Sequence, residues 1–238
     1  MALYSINTFG QLEPWLHDEW LLTNGLGGFA FGTIVGCNTR RYHGLLVAAN
    51  KPPVDRVMTL SPLGEMLIVD GDFDHPHELA INQYRQNFHP RGDKYLRRFE
   101  LHDTASWHYE VAGVRIIKEL QIGWKKNLVG VRYTLDAEAS RKIEFRVWPF
   151  FSLRDFHGLR HADGYDLPTQ IEGLNLRVSS DGITANVTAD AGEFIREPAW
   201  WYGQVYAIET ERGQDDAEDQ FTPGRYTLSF QGRGEVTF

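Results

Sequence analysis

Residues 129–148 read VGVRYTLDAEASRKIEFRVW, and the two alternating runs at their ends decide the fold. Val129, Val131, Tyr133 and Leu135 alternate with Gly130, Arg132 and Thr134; Ile143, Phe145 and Val147 then alternate with Glu144, Arg146 and Trp148. A period of two places one set of side chains on a buried face and the other in water, as in a half-exposed strand. The pattern continues downstream. Leu174, Leu176 and Val178 alternate with Asn175, Arg177 and Ser179, and Ile183, Ala185, Val187 and Ala189 follow a Ser180-Asp181-Gly182 turn. Strands of this kind joined by short turns predict an all-β chain built as a large antiparallel β-sandwich.

Upstream, Tyr95–Leu101, Trp107–Val111 and Val114–Ile122 read as strands, the last two joined at Ala112-Gly113. Val57–Leu60 and Glu65–Val69 read as two further strands, the second closed by the tight-turn pair Asp70-Gly71. Residues 72–94 are polar and read as irregular. Residues 1–17 read as a lead-in in which Pro14 bars a long regular element. Tyr226–Phe230 and Glu235–Phe238 read as closing strands, and Gln204–Arg212 as a short helix ended by Gly213. Nothing in the composition breaks, so one domain is expected over residues 1–238.

Seven Trp, ten Tyr and fourteen Phe suit sheets; they also suit sugar recognition, where a flat ring meets a pyranose face. Net charge is −8 with no basic tract, which argues against nucleic acid and anionic membrane. No apolar run approaches membrane-spanning length. The single cysteine, Cys37, rules out an internal disulfide and fits a reducing compartment. MALYSINTFG lacks the basic and apolar segments of a signal peptide, so a cytoplasmic protein is expected.

The early segment Glu19–Val47 packs Gly25, Gly27, Gly28, Gly32, Gly36 and Gly44 beside Asn38-Thr39-Arg40-Arg41-Tyr42-His43. Its Gly25–Ala30 stretch fits G-x-G-x-x-A, but a dinucleotide site needs a helix next, and Gly32, Thr33, Ile34, Val35 and Gly36 oppose one. Asp72, Asp74, His75 and His77 offer metal-ligand types, yet read as a solvated turn. The run Asp215, Asp216, Glu218 and Asp219 reads as a solvated loop. Neither metal nor cofactor is expected. No nucleophile signature is present, and no carboxylate pair can be singled out as catalytic. Arg154, Asp155 and His157 end a marked strand, where sheet proteins place functional loops. Trp200-Trp201-Tyr202 reads as core before sugar platform.

Trp20–Gly28, Gly32-Thr33 and Asn38–Leu46 together resemble the opening of bacterial and archaeal glycogen debranching enzymes; Arg154–His157 and Glu209–Gly224 extend the likeness over most of the chain. Phe31 stands where the family pattern has a smaller residue. The resemblance implies a β-sandwich like the N-terminal domains of glucoamylase-type enzymes. It implies as partners an α-helical toroid, which carries the catalytic carboxylates for α-1,6-glucosidic hydrolysis, and an α-glucan such as glycogen or a maltooligosaccharide. On that basis the chain itself holds no catalytic residue. Asn24, Asn38, Arg40, Arg41, Tyr42, His43, Arg154, Asp155 and His157 are the expected substrate or domain-interface residues. Two alternatives stand beside this: an independent α-glucan-binding module, and a scaffold that covers and stabilises a partner domain.

Overall fold

The structure, a computed structural model, describes residues 4–6 and 11–238. Two large antiparallel sheets face each other. One runs in the order Glu193–Val205, Ala217–Gln231, Lys142–Asp155, Val54–Val69, Gly44–Lys51, Phe29–Thr33, Glu19–Thr23, with His77–Glu78 added beside Val54–Val69. The other runs Tyr4–Ile6, Leu96–Leu101, Ala105–Val111, Val114–Ile122, Val129–Asp136, Arg233–Thr237. A three-stranded sheet, Thr169–Glu172, Asn175–Ser180 and Ile183–Thr188, sits to one side. The expected all-β antiparallel sandwich is the observed architecture.

The alternation explains the core. Val131, Tyr133 and Leu135 from one sheet, and Ile143, Phe145 and Val147 from the other, are all buried in one cluster. Tyr133 meets Phe145 at 5.1 Å between ring centroids, and Trp20 meets Trp107 at 5.3 Å. Glu65 lies between the sheets, where Lys118 Nζ at 2.6 Å and the Tyr133 hydroxyl at 2.8 Å both donate to it. Pairing of this kind lets a charge stay inside an apolar layer. Where the sheets diverge, an apolar cleft of about 560 Å³ remains, lined by Leu46, Val129, Val147, Phe151, Val187 and Phe238 among others.

The turn readings hold at Ala112-Gly113 and Asp70-Gly71. All four residues have positive φ, between 50° and 78°, which mirror-image tight turns require. The helix reading narrows to Ala207–Glu211, with Gln204 and Val205 in the preceding strand and Gly213 at φ 67° beyond it.

Other readings are corrected. Val57–Leu60 and Glu65–Val69 belong to one strand of 16 residues, Val54–Val69. Residues 72–94 are not irregular throughout: Ile81–Gln83 pairs with Phe88–Arg91, and His77–Glu78 with Val54–Val69. Within residues 1–17, Tyr4–Ile6 pairs with Leu96–Leu101, and Pro14 opens a single 3-10 turn, Glu13–Leu16; residues 1–3 and 7–10 lie outside the described residues. The acidic run Asp215–Asp219 is not a solvated loop, since Asp216 and Glu218 are buried. Trp200 packs on Phe221 and Trp201 on Phe150, while Tyr202 is exposed. Among the described residues no helix is long and apolar enough to cross a membrane.

Candidate functional site

The segment Asn38–His43 enters the strand Gly44–Lys51, and its side chains divide between protein and solvent. Arg41 and His43 are buried, whereas Asn38, Arg40 and Tyr42 are half-buried. The approach is tight at its end: a Cβ on Gly44 would meet Met58 Sδ at 2.3 Å.

His43 is fixed by two contacts. The Thr39 N–H donates to its Nδ1 at 3.1 Å, so the ring proton sits on Nε2 and donates to Glu19 Oε1 at 3.0 Å. Burial pushes the His43 pKa down, against the pull of Glu19. Glu19 Oε1 also accepts from Arg40 Nε at 2.6 Å. Burial pushes the Glu19 carboxyl up, but these two hydrogen bonds outweigh it and hold the group below its ordinary value.

Arg41 reaches inward. Its Nη1 donates to the His157 carbonyl at 2.8 Å, and its Nη2 to the Asp215 carbonyl at 2.7 Å and Gln214 Oε1 at 3.2 Å. Its Nε faces the buried Glu209 carboxylate at 3.5 Å, an ion pair too long for a good hydrogen bond. Arg41 thereby ties the Asn38–His43 segment to the loop after Lys142–Asp155 and to the short helix.

Arg154 sits at the end of that strand and is almost fully buried. Its Nε and Nη2 grip both oxygens of Glu218, and Nη2 also donates to the Arg41 carbonyl at 2.9 Å. The Tyr206 hydroxyl donates to Glu218 Oε2, and the Arg160 N–H to Oε1 at 3.0 Å. Burial alone would lower the Arg154 pKa; the Glu218 carboxylate reverses this and raises it. Burial, then Glu218, pushes the Tyr206 phenol up. With four donors converging on it inside the protein, Glu218 is a structural anion and has no open face for proton transfer.

The outward half forms one patch. The Tyr42 hydroxyl and His157 Nδ1 share a hydrogen bond of 3.2 Å, and Phe156 packs on both rings, at 5.5 Å from Tyr42 and 4.0 Å from His157. The Arg56 guanidinium lies 5.5 Å from the Phe156 ring centre. Asp155 is exposed and turns the loop by accepting the His157 N–H at 2.8 Å. Beside the patch lies an open, polar cleft of about 630 Å³, lined by Asp55, Asp155, Arg160, His161 and Asp181 among others.

Compared with models of known protein families, residues 18–237 match the one described as glycogen debranching enzyme N terminal. The chain belongs to the glycogen debranching enzyme N-terminal family. A search of curated proteins finds no match.

Within this glycogen debranching enzyme N-terminal domain, the residues named from the sequence fall into several places. Tyr42, Asp155 and His157 share the open patch, and Arg40 is half-buried and bonded to Glu19. Arg41, His43 and Arg154 form the buried frame beneath it. Asn38 sits at the rim, its Nδ2 donating to the His43 carbonyl at 3.3 Å. Asn24 lies in the turn Asn24–Gly28, fully buried; its Oδ1 accepts the N–H groups of Leu26 at 2.8 Å and Gly28 at 2.9 Å. Its Nδ2 donates to the Lys126 carbonyl at 3.0 Å. Sequence reasoning gave no role to Glu19 or Glu209 and read Glu218 as part of a solvated loop, yet the three are the counter-charges of the named cations. Their signal was the cations themselves, because an arginine inside an apolar strand such as Phe150-Phe151-Ser152-Leu153-Arg154 requires a buried acid.

Proposed function

We propose that this chain is an accessory domain that presents Arg40 and the Tyr42, Asp155 and His157 patch to an α-glucan at the mouth of a catalytic neighbour, and does not itself cleave the glucan. The observation that carries this reading is the division within Asn38–His43. Arg41 and His43 spend their polar atoms inside the protein, and by doing so hold Tyr42 outward against His157, with Arg40 turned to Glu19. Preorganised aromatic and charged groups of this kind suit a sugar, which offers an apolar ring face and a rim of hydroxyls. The polar cleft beside the patch adds acceptors in Asp55 and Asp155. The carboxylate with the most elaborate surroundings, Glu218, is enclosed, which fits a domain that shapes a site rather than one that breaks bonds.

Hydrogen exchange tests the reading. The chain is compared alone and joined to the catalytic domain of a debranching enzyme, with and without maltoheptaose. Slowed exchange over residues 40–43 and 155–161 in the joined protein is the expected result. Unchanged exchange there, with protection confined to other surfaces, overturns it.

The scaffold reading is favoured by one specific observation, the enclosed Arg154–Glu218 pair, whose contacts are all internal. Under that reading Tyr42 and His157 are dispensable and only the buried frame matters.

A further inference from the structure

Trp124 has an exposure of 68 %, while the other six tryptophans are buried or half-buried, yet the loop that carries it is firmly held. Gly123 N–H donates to the Leu128 carbonyl at 2.8 Å, and Lys125 N–H to the Asn24 carbonyl at 2.7 Å. Asn24 Nδ2 donates to the Lys126 carbonyl and to Asn127 Oδ1, and Asn127 in turn exchanges two hydrogen bonds with the backbone of Ala49, at 2.9 and 3.1 Å. The indole rests on Gly25, where a Cβ would lie 2.7 Å from the ring. Gly25 has φ 74°, a conformation suited to glycine, so the seat for the ring is built into the turn. Lys125 and Lys126, the next two residues in the chain, are exposed, and none of the described residues accepts a hydrogen bond from the indole nitrogen. A large ring left in water but locked in place is a surface prepared for a ligand with an apolar face and a polar rim.

The same turn leads to the patch around Tyr42. Gly27 packs so close to Pro53 that a Cβ would lie 2.5 Å from its carbonyl oxygen. The Gly27 carbonyl accepts from Arg56 Nε at 2.7 Å, and Arg56 covers Phe156, which packs on Tyr42 and His157. Trp124, the Asn24–Gly28 turn, Arg56 and the Phe156 cluster therefore form one connected edge with an aromatic platform at each end.

We infer that Trp124 is a second α-glucan contact, at which a glucosyl unit stacks on the indole and its hydroxyls meet Lys125, Lys126 and the indole N–H. This rests on the reading of the Tyr42 patch as facing glucan, and extends it to a chain long enough to touch both platforms. An apolar protein neighbour is the competing occupant; the two exposed lysines that follow Trp124 in the chain and the free indole N–H favour the sugar.

The test is titration of the 238-residue chain with maltoheptaose, followed by the indole N–H resonances in the NMR spectrum. Trp124→Phe removes one resonance and so assigns it. The expected result is that this resonance moves with saturable dependence on maltoheptaose, that Trp124→Ala weakens binding about tenfold, and that Trp124→Phe restores most of it. Melting temperatures of the variants report whether the fold survives. Three outcomes overturn the inference: no binding to the chain, binding that leaves the Trp124 resonance still, or a Trp124 resonance that moves only when a debranching catalytic domain is added. In the second case, shifts at Tyr42 and His157 leave the patch reading standing while the Trp124 contact falls.

Discussion

Arg154 and Glu218, 64 residues apart in sequence, close a two-point ion pair inside the protein, with the Arg154 Nη2 to Glu218 Oε2 arm at 2.9 Å. The same guanidinium holds the Arg41 carbonyl at 2.9 Å, so the pair fixes the segment that carries Tyr42. Removing one partner leaves an uncompensated buried charge, whereas removing both leaves no such charge but a packing defect and the lost bonds of the Tyr206 hydroxyl, the Arg160 N–H and the Arg41 carbonyl. Glu218→Gln is expected to destabilise the chain by about 3–5 kcal/mol, and Arg154→Met combined with Glu218→Leu by clearly less than the sum of the single changes. Urea unfolding of the single and double variants checks this.

His43 sets a pH dependence. Its folded pKa lies below its ordinary value of 6.5. Between the lowered folded value and 6.5 the unfolded chain binds a proton that the folded chain refuses. Stability is therefore full above about pH 7 and falls as pH drops through 6.5 toward the folded value. Protonating Nδ1 also breaks the hydrogen bond from the Thr39 N–H. Melting temperature measured from pH 7.5 to pH 5 is expected to fall, and the slope is expected to flatten in His43→Gln, which starts from a lower melting temperature.

The turn Asn24–Gly28 links the Trp124 loop to the Tyr42 patch through Gly25 and Gly27. Gly27 has φ 93° and faces the Pro53 carbonyl. Gly27→Ala is expected to cost about 2–3 kcal/mol from backbone strain and overlap together. Gly36 also has positive φ but opens onto free space, so Gly36→Ala carries the strain without the overlap and is expected to cost less. Thermal unfolding of the two variants distinguishes them.

Much of the fold was legible because one-sided strands write their burial into the sequence. Val129–Asp136 alternates since one face meets the core and the other meets water. Val54–Val69 was read as two pieces because Ser61-Pro62 interrupts it and because most of its residues from Val57 onward are buried on both faces, which erases the alternation. Glu193–Val205 went unread for the opposite reason: it is an edge strand, half-exposed on both faces, with Pro198 inside it. The site was legible as a set of residue types but not as an inside and an outside. Arg40 and Arg41 are chemically the same, and only the tertiary partners, Glu19 for one and Glu209 with the His157 and Asp215 carbonyls for the other, decide which is buried. Glu218 was hidden within an acidic run, although it occupies the inward phase of the strand Ala217–Gln231, where Glu218 and Gln220 are buried while Ala217 and Asp219 are less so.

The open patch and the buried frame are expected to fail in different ways. Arg41→Ala strips three hydrogen-bonding arms from the interior and is expected to lower stability by about 2–4 kcal/mol. Tyr42→Ala and His157→Ala remove only outward contacts and are expected to change stability by less than about 1 kcal/mol each. Thermal melts of the three variants check the contrast.

The most direct test of the central claim is the KM for a branched α-glucan of a debranching enzyme carrying this domain with Tyr42→Ala and His157→Ala together. The account predicts a KM raised several-fold, with kcat and melting temperature close to those of the parent. An unchanged KM in a folded enzyme, or a loss of activity that merely follows a loss of stability, contradicts it.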